Sequence, residues 1–356
     1  MKKNRILMIG PSKKSRGGMA TVIKNFDLAS QFQLTLLETW TECGWVLRFI
    51  KILFTFRYTI RSKKIDIVHF HVAQNGSFFR KALLLWLIPK KTPTVFHMHA
   101  SNFDKFYQSG WNLKRHFVQR TLRRAHAVVA VSNHWKNYYE TIMGQPAFFV
   151  DNSVPVTNEN YFSADSSRII TLGRLGKRKG SFDILKLASK FHEDGSDVTF
   201  DLYGDGEVEL FTNLCKELPN IKIHSWISKE EFHEILKDTT LHLLPSYHEG
   251  LPMSVLETMA LGIPNVTSTV GGLPSLIHSG KNGWLVSAGD HEGIYRALRE
   301  VLEDKTQLVK VAAQSKKTIN ERYGLTRYFE FWETLYFQLS QKEQSKQNLP
   351  TSQKRC

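Results

Sequence analysis

Cysteine is scarce in this 356-residue chain. Cys43, Cys215 and Cys356 stand far apart and show no metal-ligand spacing, which excludes a disulfide framework and fits a reducing compartment. Long apolar runs are missing too. Residues 78–88 (FFRKALLLWLI) are too few to span a bilayer and read as a core helix. The opening MKKNRILMIG goes straight into a strand and lacks the apolar length of a signal peptide. Neither a G-x-G-x-x-G nor a Walker A pattern occurs, and no helix-turn-helix, RRM or zinc-finger pattern accompanies the basic residues. Acidic residues are few in one half only. Residues 1–155 hold 24 Lys and Arg against 7 Asp and Glu, whereas residues 156–356 hold 24 against 26. Nucleic acid and anionic lipid are both candidate partners for so basic a first half.

What is present is a chain long enough for two domains, each burying its own core. Short apolar runs alternate with helical patterns, as in α/β proteins with parallel sheets. Residues 241–272 (LHLLPSYHEGLPMSVLETMALGIPNVTSTVGG) are the most informative. Residues 241–244 read as a buried strand, and 246–250 as a polar loop. Pro252 is expected at the first helical position, where its missing N–H costs nothing. Gly262 and Pro264 stop that helix. A second strand through Val266 ends at Gly271-Gly272. This βαβ unit carries Glu249 in its loop and Glu257 in its helix. Such a loop offers backbone N–H groups at a helix N-terminus, which favours anions.

Elsewhere, residues 5–10 form a strand that leads through a loop ending in Gly17-Gly18 to a helix, an arrangement able to present N–H groups to a phosphate. In residues 45–64, Arg48, Lys51, Arg57 and Arg61 interrupt an apolar pattern, and Lys63-Lys64 follow. Four cations make a spanning helix expensive. The stretch reads either as a basic amphipathic helix on a membrane surface or as one packed on its own sheet, and both can hold for different faces. Residues 111–126, with Lys114, Arg115, Arg120, Arg123 and Arg124, form a second such helix. His71, His97 and His99 alternate on strand spacing. A zinc reading of them lacks a fourth ligand and any tight spacing, and His97 reads as a core histidine. His99 ends a strand, where open α/β sheets bind ligands.

Taken together, Glu249-Gly250-Leu251-Pro252, Glu257, Gly262-Ile263-Pro264 and Gly271-Gly272 resemble the nucleotide-sugar site of retaining GT-B glycosyltransferases of family 4. Further matches run along the chain. They are Gly17-Gly18, His99, Asn152-Ser153-Val154 (with Ser153 for the usual glycine), Arg174 with Lys179-Gly180, Gly204-Asp205-Gly206, and Asn282-Gly283-Trp284-Leu285-Val286. Trp226 stands where the family commonly has glycine.

The resemblance implies a GT-B fold of two Rossmann-like domains facing a central cleft. The first, residues 1–155, takes the acceptor, and the second, residues 165–322, binds the nucleotide sugar. The helix 325–340 crosses back to the first domain, and 341–356 is a polar tail. It further implies a hexosyltransferase-type enzyme. Arg174 and Lys179 contact the diphosphate, Glu249 with the amides of Gly250 and Leu251 holds the sugar hydroxyls, and Glu257 holds the ribose. His99 sits beside the sugar, and Gly17 and Gly18 approach the phosphates. Lys177 and Arg178 are read as solvated. No Asp-x-Asp pair occurs in the chain, so no metal and no cofactor are expected beyond the donor substrate. The expected partners are a nucleotide diphosphate sugar, a saccharide or lipid-linked saccharide acceptor and an anionic membrane surface, with no nucleic acid. The expected place is cytoplasmic, peripheral on the inner face of the cell membrane, in bacterial surface polysaccharide synthesis. A GT-B sugar-nucleotide epimerase or a basic nucleic-acid-binding protein are the alternatives.

Overall fold

Apolar runs flanked by turns become parallel strands buried on both faces, and the intervening amphipathic segments cover them as helices. The structure, a computed structural model, describes residues 3–41, 45–227 and 229–347. Cys43 and Cys356 lie outside the described residues, and so does the end of the expected tail. Two compact units result. One contains residues 1–15, 19–151 and 326–356, and the other residues 16–18 and 152–325.

In the first unit, β1 (Arg5–Pro11), β2 (Gln33–Trp40), β3 (Ile67–Val72), β4 (Thr94–Met98), β5 (Ala127–Ala130) and β6 (Phe148–Phe149) lie in the order β2-β1-β3-β4-β5-β6. In the second, β7 (Arg168–Leu172), β8 (Thr199–Tyr203), β9 (Ile221–His224), β10 (Leu241–Leu244), β11 (Asn265–Ser268) and β12 (Trp284–Val286) lie in the order β12-β11-β10-β7-β8-β9. Every pairing is parallel. Each order reverses once, between β1 and β3 and between β7 and β10. At such a reversal neighbouring strands send their connections to opposite faces, which opens a crevice at the carboxyl edge.

Three local expectations change. The edge strand β2 has no counterpart in the sequence reading. Its residues are mostly half-buried and Thr39 alone is buried, so it lacks the unbroken apolar run of a central strand. Pro252 is not the first helical residue. It is the N-cap, in extended conformation (φ −71°, ψ 130°), and the helix spans Met253–Ala260. The C-terminal helix, Leu325–Gln347, runs beyond residue 340.

The helix Trp45–Ser62 has apolar residues on two faces. Ile52 and Phe56 are buried in the core of the first unit, with Phe49, Leu53 and Ile60 packed against it. Leu47, Ile50, Phe54 and Tyr58 point outward and are exposed. The side chain of Arg48 lies outside the described residues. No helix among the described residues is long and apolar enough to cross a membrane.

The C-terminal helix returns to the first unit, where Trp332, Tyr328 and Tyr336 are buried. Trp332 lies 4.5 Å from His69 and 4.8 Å from His97 between ring centroids, and Tyr328 packs edge-on against Phe26 at 5.6 Å. The return therefore depends on aromatic burial. Trp332→Ala is expected to destabilise the protein by about 3–5 kcal/mol, the usual cost of emptying a large aromatic site. Urea unfolding of variant and parent checks this, and a loss below about 1 kcal/mol would show that the helix is not anchored there.

Candidate active site

The second unit gathers its polar side chains at the carboxyl edge of the sheet, around the β7–β10 reversal. The loop after β7 brings Arg174, Arg178 and Lys179, and the loop after β10 brings Glu249 and Gly250. Lys179 Nζ lies 2.6 Å from Glu249 Oε1, and the two side chains are 12% and 5% exposed. A pair so dry forfeits solvation that its attraction must offset. Burial pushes the Lys179 ammonium below the ordinary lysine range, while Glu249 acts in the opposite sense and favours the charge.

Glycines let the loops meet. Gly180 has φ +74°, and a Cβ there would stand 2.3 Å from the Pro245 carbonyl oxygen. Gly271 has φ +58°, and its Cβ would stand 2.1 Å from the Glu249 carbonyl oxygen. No side chain fits at either place. Backbone bonds then join the loops. Tyr247 N donates to Arg178 O at 2.9 Å, and Gly272 N to Gly250 O at 2.6 Å. The loop after β8 joins through Leu175 N to Asp205 O at 2.7 Å. Two helices, Ser181–Glu193 and Met253–Ala260, start directly after the Lys179 and Glu249 loops, so both loops end in helix N-termini with their partial positive charge.

Arg178 is not simply solvated. Its Nη1 donates to His248 O at 3.1 Å and stands 3.9 Å from Glu249 Oε1. Arg174 is placed differently from Lys179: it is 65% exposed and pairs with Asp205 Oδ2 at 3.0 Å. Leu251 is buried, and its carbonyl accepts from the Asn152 side-chain amide at 2.7 Å. Glu257 is half-buried on its helix. Residues 16–18 group with the second unit. There Gly17 has φ +105° with open space around its Cβ position, and a Cβ on Gly18 would stand 3.2 Å from Met253 Cγ. His99 belongs to the first unit, at the end of β4. Its Nε2 lies 3.0 Å from His71 Nδ1, and burial pushes its pKa down to about 3.

Sequence reasoning missed His242, a lone polar residue in the apolar run of β10. It pairs in register with Asn265 of β11. Its Nδ1 lies 2.5 Å from Asn265 Oδ1, and its Nε2 accepts weakly from Leu172 N at 3.4 Å. Asn265 Nδ2 in turn donates to Thr258 Oγ1 at 3.1 Å, which ties both strands to the helix bearing Glu257. Burial first, and the Lys179 cation as a lesser cause, push the His242 pKa down to about 4. His69 of the first unit was also passed over, although it shares its strand and spacing with His71.

The comparisons with known proteins bear on the fold and the family. Residues 38–156 match the family described as Glycosyltransferase Family 4, and residues 157–318 that described as Glycosyl transferases group 1. Sucrose-phosphate synthase from Thermosynechococcus elongatus shares the fold with a TM-score of 0.77 at 14% identity, over 96% of this chain and 99% of that one. HepE of Anabaena, solved with UDP-glucose, has a TM-score of 0.71 at 16% identity, over 96% and 99%. The amylovoran biosynthesis glycosyltransferase AmsK of Erwinia amylovora is 25% identical over 277 residues, 73% of this chain and 67% of its own. The UDP-Gal:alpha-D-GlcNAc-diphosphoundecaprenol alpha-1,3-galactosyltransferase of Escherichia coli is 22% identical over 285 residues, 73% and 72%. The fold and the two family matches thus define a GT-B glycosyltransferase. The chain belongs to glycosyltransferase family 4, and it is an enzyme of the hexosyltransferase type.

The buried His242 sets a pH dependence. Above pH 6.5 both the folded and the unfolded histidine are neutral. Below it the unfolded form takes a proton that the folded form refuses until about pH 4. Stability is therefore lost as pH falls through that window, at about 1.4 kcal/mol per pH unit for one such group. Urea unfolding at pH 7 and pH 5 is expected to show a loss smaller by roughly 2 kcal/mol in His242→Gln than in the parent. Equal losses would mean that His242 titrates normally in the fold.

Proposed function

We propose that the enzyme transfers a sugar, with retention of anomeric configuration, from a nucleotide diphosphate sugar to a lipid-linked saccharide in bacterial surface polysaccharide synthesis. The observation that carries the donor side of this reading is the Lys179–Glu249 pair, dry and positioned at the β7–β10 reversal. Expelling a nucleoside diphosphate builds negative charge on the leaving phosphate. Lys179, Arg174 and two helix N-termini supply fixed positive charge for it, and such preorganised groups need no reorientation as the charge grows. No Asp-x-Asp pair stands ready to hold a metal there, so the neutralisation is assigned to these groups alone.

In this scheme Glu249 has two partners in turn. Before the donor arrives it keeps the buried Lys179 charged. With the donor bound, Lys179 turns to the phosphate and Glu249, with the amides of Gly250 and Leu251, to the sugar hydroxyls. Glu257 holds the ribose, and Gly17 and Gly18 allow the phosphates close approach. The leaving phosphate takes the acceptor proton as attack occurs from the same face, so no side chain has to act as a nucleophile. Two relatives support the acceptor side. The Erwinia protein is named for amylovoran biosynthesis, and the Escherichia coli protein for a diphosphoundecaprenol-linked acceptor.

Steady-state kinetics with varied donor test the assignment. Arg174→Ala and Lys179→Ala are each expected to lower turnover by on the order of 10²–10³, the scale of losing one group aimed at developing charge. Glu257→Gln is expected to raise the donor KM with turnover nearly kept, because ribose hydroxyls change little during reaction. Near-normal turnover of both cation variants at saturating donor would sink the site assignment.

The reading also places the enzyme on the cytoplasmic face of the membrane. Its support is the outward row Leu47, Ile50, Phe54 and Tyr58, interleaved with Lys51, Arg57 and Arg61, together with Trp111 (80% exposed) and Leu113 (81% exposed) at the start of the basic helix Asn112–Arg124. Apolar residues would enter the headgroup boundary while each cation adds about 1 kcal/mol near anionic lipid. Sedimentation with vesicles is expected to show binding to anionic and not to neutral lipid, weakened by salt. Leu47→Ser/Phe54→Ser should bind several-fold less. Equal binding to both vesicle types, or to neither, would overturn the surface-docking account.

A further inference from the structure

A second cluster lies in the first unit and contains none of the groups assigned to donor binding, with His99 beside it. Residues two apart on a strand share a face. His69 and His71 therefore stand side by side on β3, their rings stacked 4.5 Å apart between centroids. The β3–β4 register sets His97 opposite His71. All three side chains are fully buried, and one ring nitrogen from each lies within 4.8 Å of the other two.

Their hydrogen bonding is incomplete in a particular way. His69 Nδ1 is engaged by the Tyr336 hydroxyl at 2.5 Å, and His71 Nδ1 by His99 Nε2 at 3.0 Å. His69 Nε2, His71 Nε2 and both nitrogens of His97 are buried with no hydrogen-bond partner among the described residues. Buried polar atoms left so are penalised, and the three rings that carry them are neighbours. Two of the rings also have an outer partner on the opposite nitrogen, the arrangement that orients metal-binding imidazoles.

We propose that His69, His71 and His97 bind a single first-row transition-metal cation of the zinc type, with water or hydroxide as the fourth ligand. The chemistry suits it. Imidazole is a preferred ligand of zinc, copper, iron and nickel, and three histidines plus a solvent ligand form a complete tetrahedral set. Burial holds all three rings neutral, the form that binds metal. A cation at about 2.1 Å from each nitrogen brings the nitrogens to roughly 3.4 Å apart, and the stacked rings of His69 and His71 must turn out of parallel for both to face it. The ion joins β3 to β4 and, through His69 and Tyr336, to the C-terminal helix. Its role is to hold the first unit together.

The set differs from the histidines first grouped on the sequence, His71, His97 and His99. His69 takes the place of His99, which acts instead as the orienting partner of His71.

The test uses the full chain, purified without a polyhistidine tag and stripped with a chelator. Titration with Co(II) is expected to give one equivalent per chain, with the visible absorption of a four-coordinate nitrogen site. Zn(II) should displace it and raise the melting temperature. His71→Gln and His97→Gln should each abolish the absorption, while the exposed His134→Gln should keep it. Should the histidine variants fail to fold, Tyr336→Phe serves instead, and loss of this outer partner is expected to weaken Co(II) binding about 10–100-fold. Absence of the absorption in the parent, binding well below one equivalent, or unchanged binding in His71→Gln, His97→Gln or Tyr336→Phe would overturn the proposal and assign the unpartnered nitrogens to buried water.

Discussion

The Lys179–Glu249 ion pair constrains the second unit more than any other single contact. A lysine and a glutamate that are almost dry must remain within hydrogen-bond reach, or each loses solvation without return. That requirement fixes the distance between the loops after β7 and β10. Gly180 follows from it, since a Cβ there would strike the Pro245 carbonyl oxygen, and Gly271, after β11, gives its own loop a like approach to the Glu249 carbonyl oxygen. His242 and Asn265 follow as well, because the strands carrying the loops must not slide. Their bond, with Thr258 beyond it, locks β10, β11 and the helix Met253–Ala260 in register. Stability alone does not account for so costly a pair. An apolar pair of the same shape would often be as stable. A site that must receive an anion, however, needs a cation already in place and kept charged until the anion comes.

The first unit meets a similar problem with other groups. Its central strands bury three histidines, His69, His71 and His97, with His99 half-buried beside them, and the covering layer is aromatic: Phe26, Tyr328, Trp332 and Tyr336. Three of those aromatics come from the end of the chain. The C-terminal helix is thus part of the first unit's core, and the two ends of the sequence share one hydrophobic layer.

What could be read from the sequence divides along physical lines. The unit from β10 through β11 was legible because its signals are local: an apolar run, a turn, a proline at the helix start, glycines after it. The C-terminal helix was legible from its apolar length and its resemblance to family members. Strand β2 was not, since an edge strand half-buried on both faces has neither alternation nor a continuous apolar run. His242 and His69 were missed because each looks like an accident within an apolar run. Their meaning lies in partners 23 and 267 residues away. Arg178 was read as solvated because a run of three cations is usually a solvated surface, and its bond to His248 O depends on a tertiary approach of two loops.

The contrast between Arg174 and Lys179 carries the argument one step further. Family resemblance groups them, yet their surroundings differ. Lys179 is buried against Glu249, while Arg174 is largely exposed and held by Asp205 from the loop after β8. An exposed ion pair is weak and easily exchanged, so Arg174 can leave Asp205 for a phosphate at little cost. A buried one resists exchange, and Lys179 can turn only if the arriving group also gives Glu249 a replacement. A sugar hydroxyl does so and a bare diphosphate does not. On the proposed assignment, the pairing couples recognition of the sugar to neutralisation of the phosphate: Lys179 is released only when both halves of the donor are present.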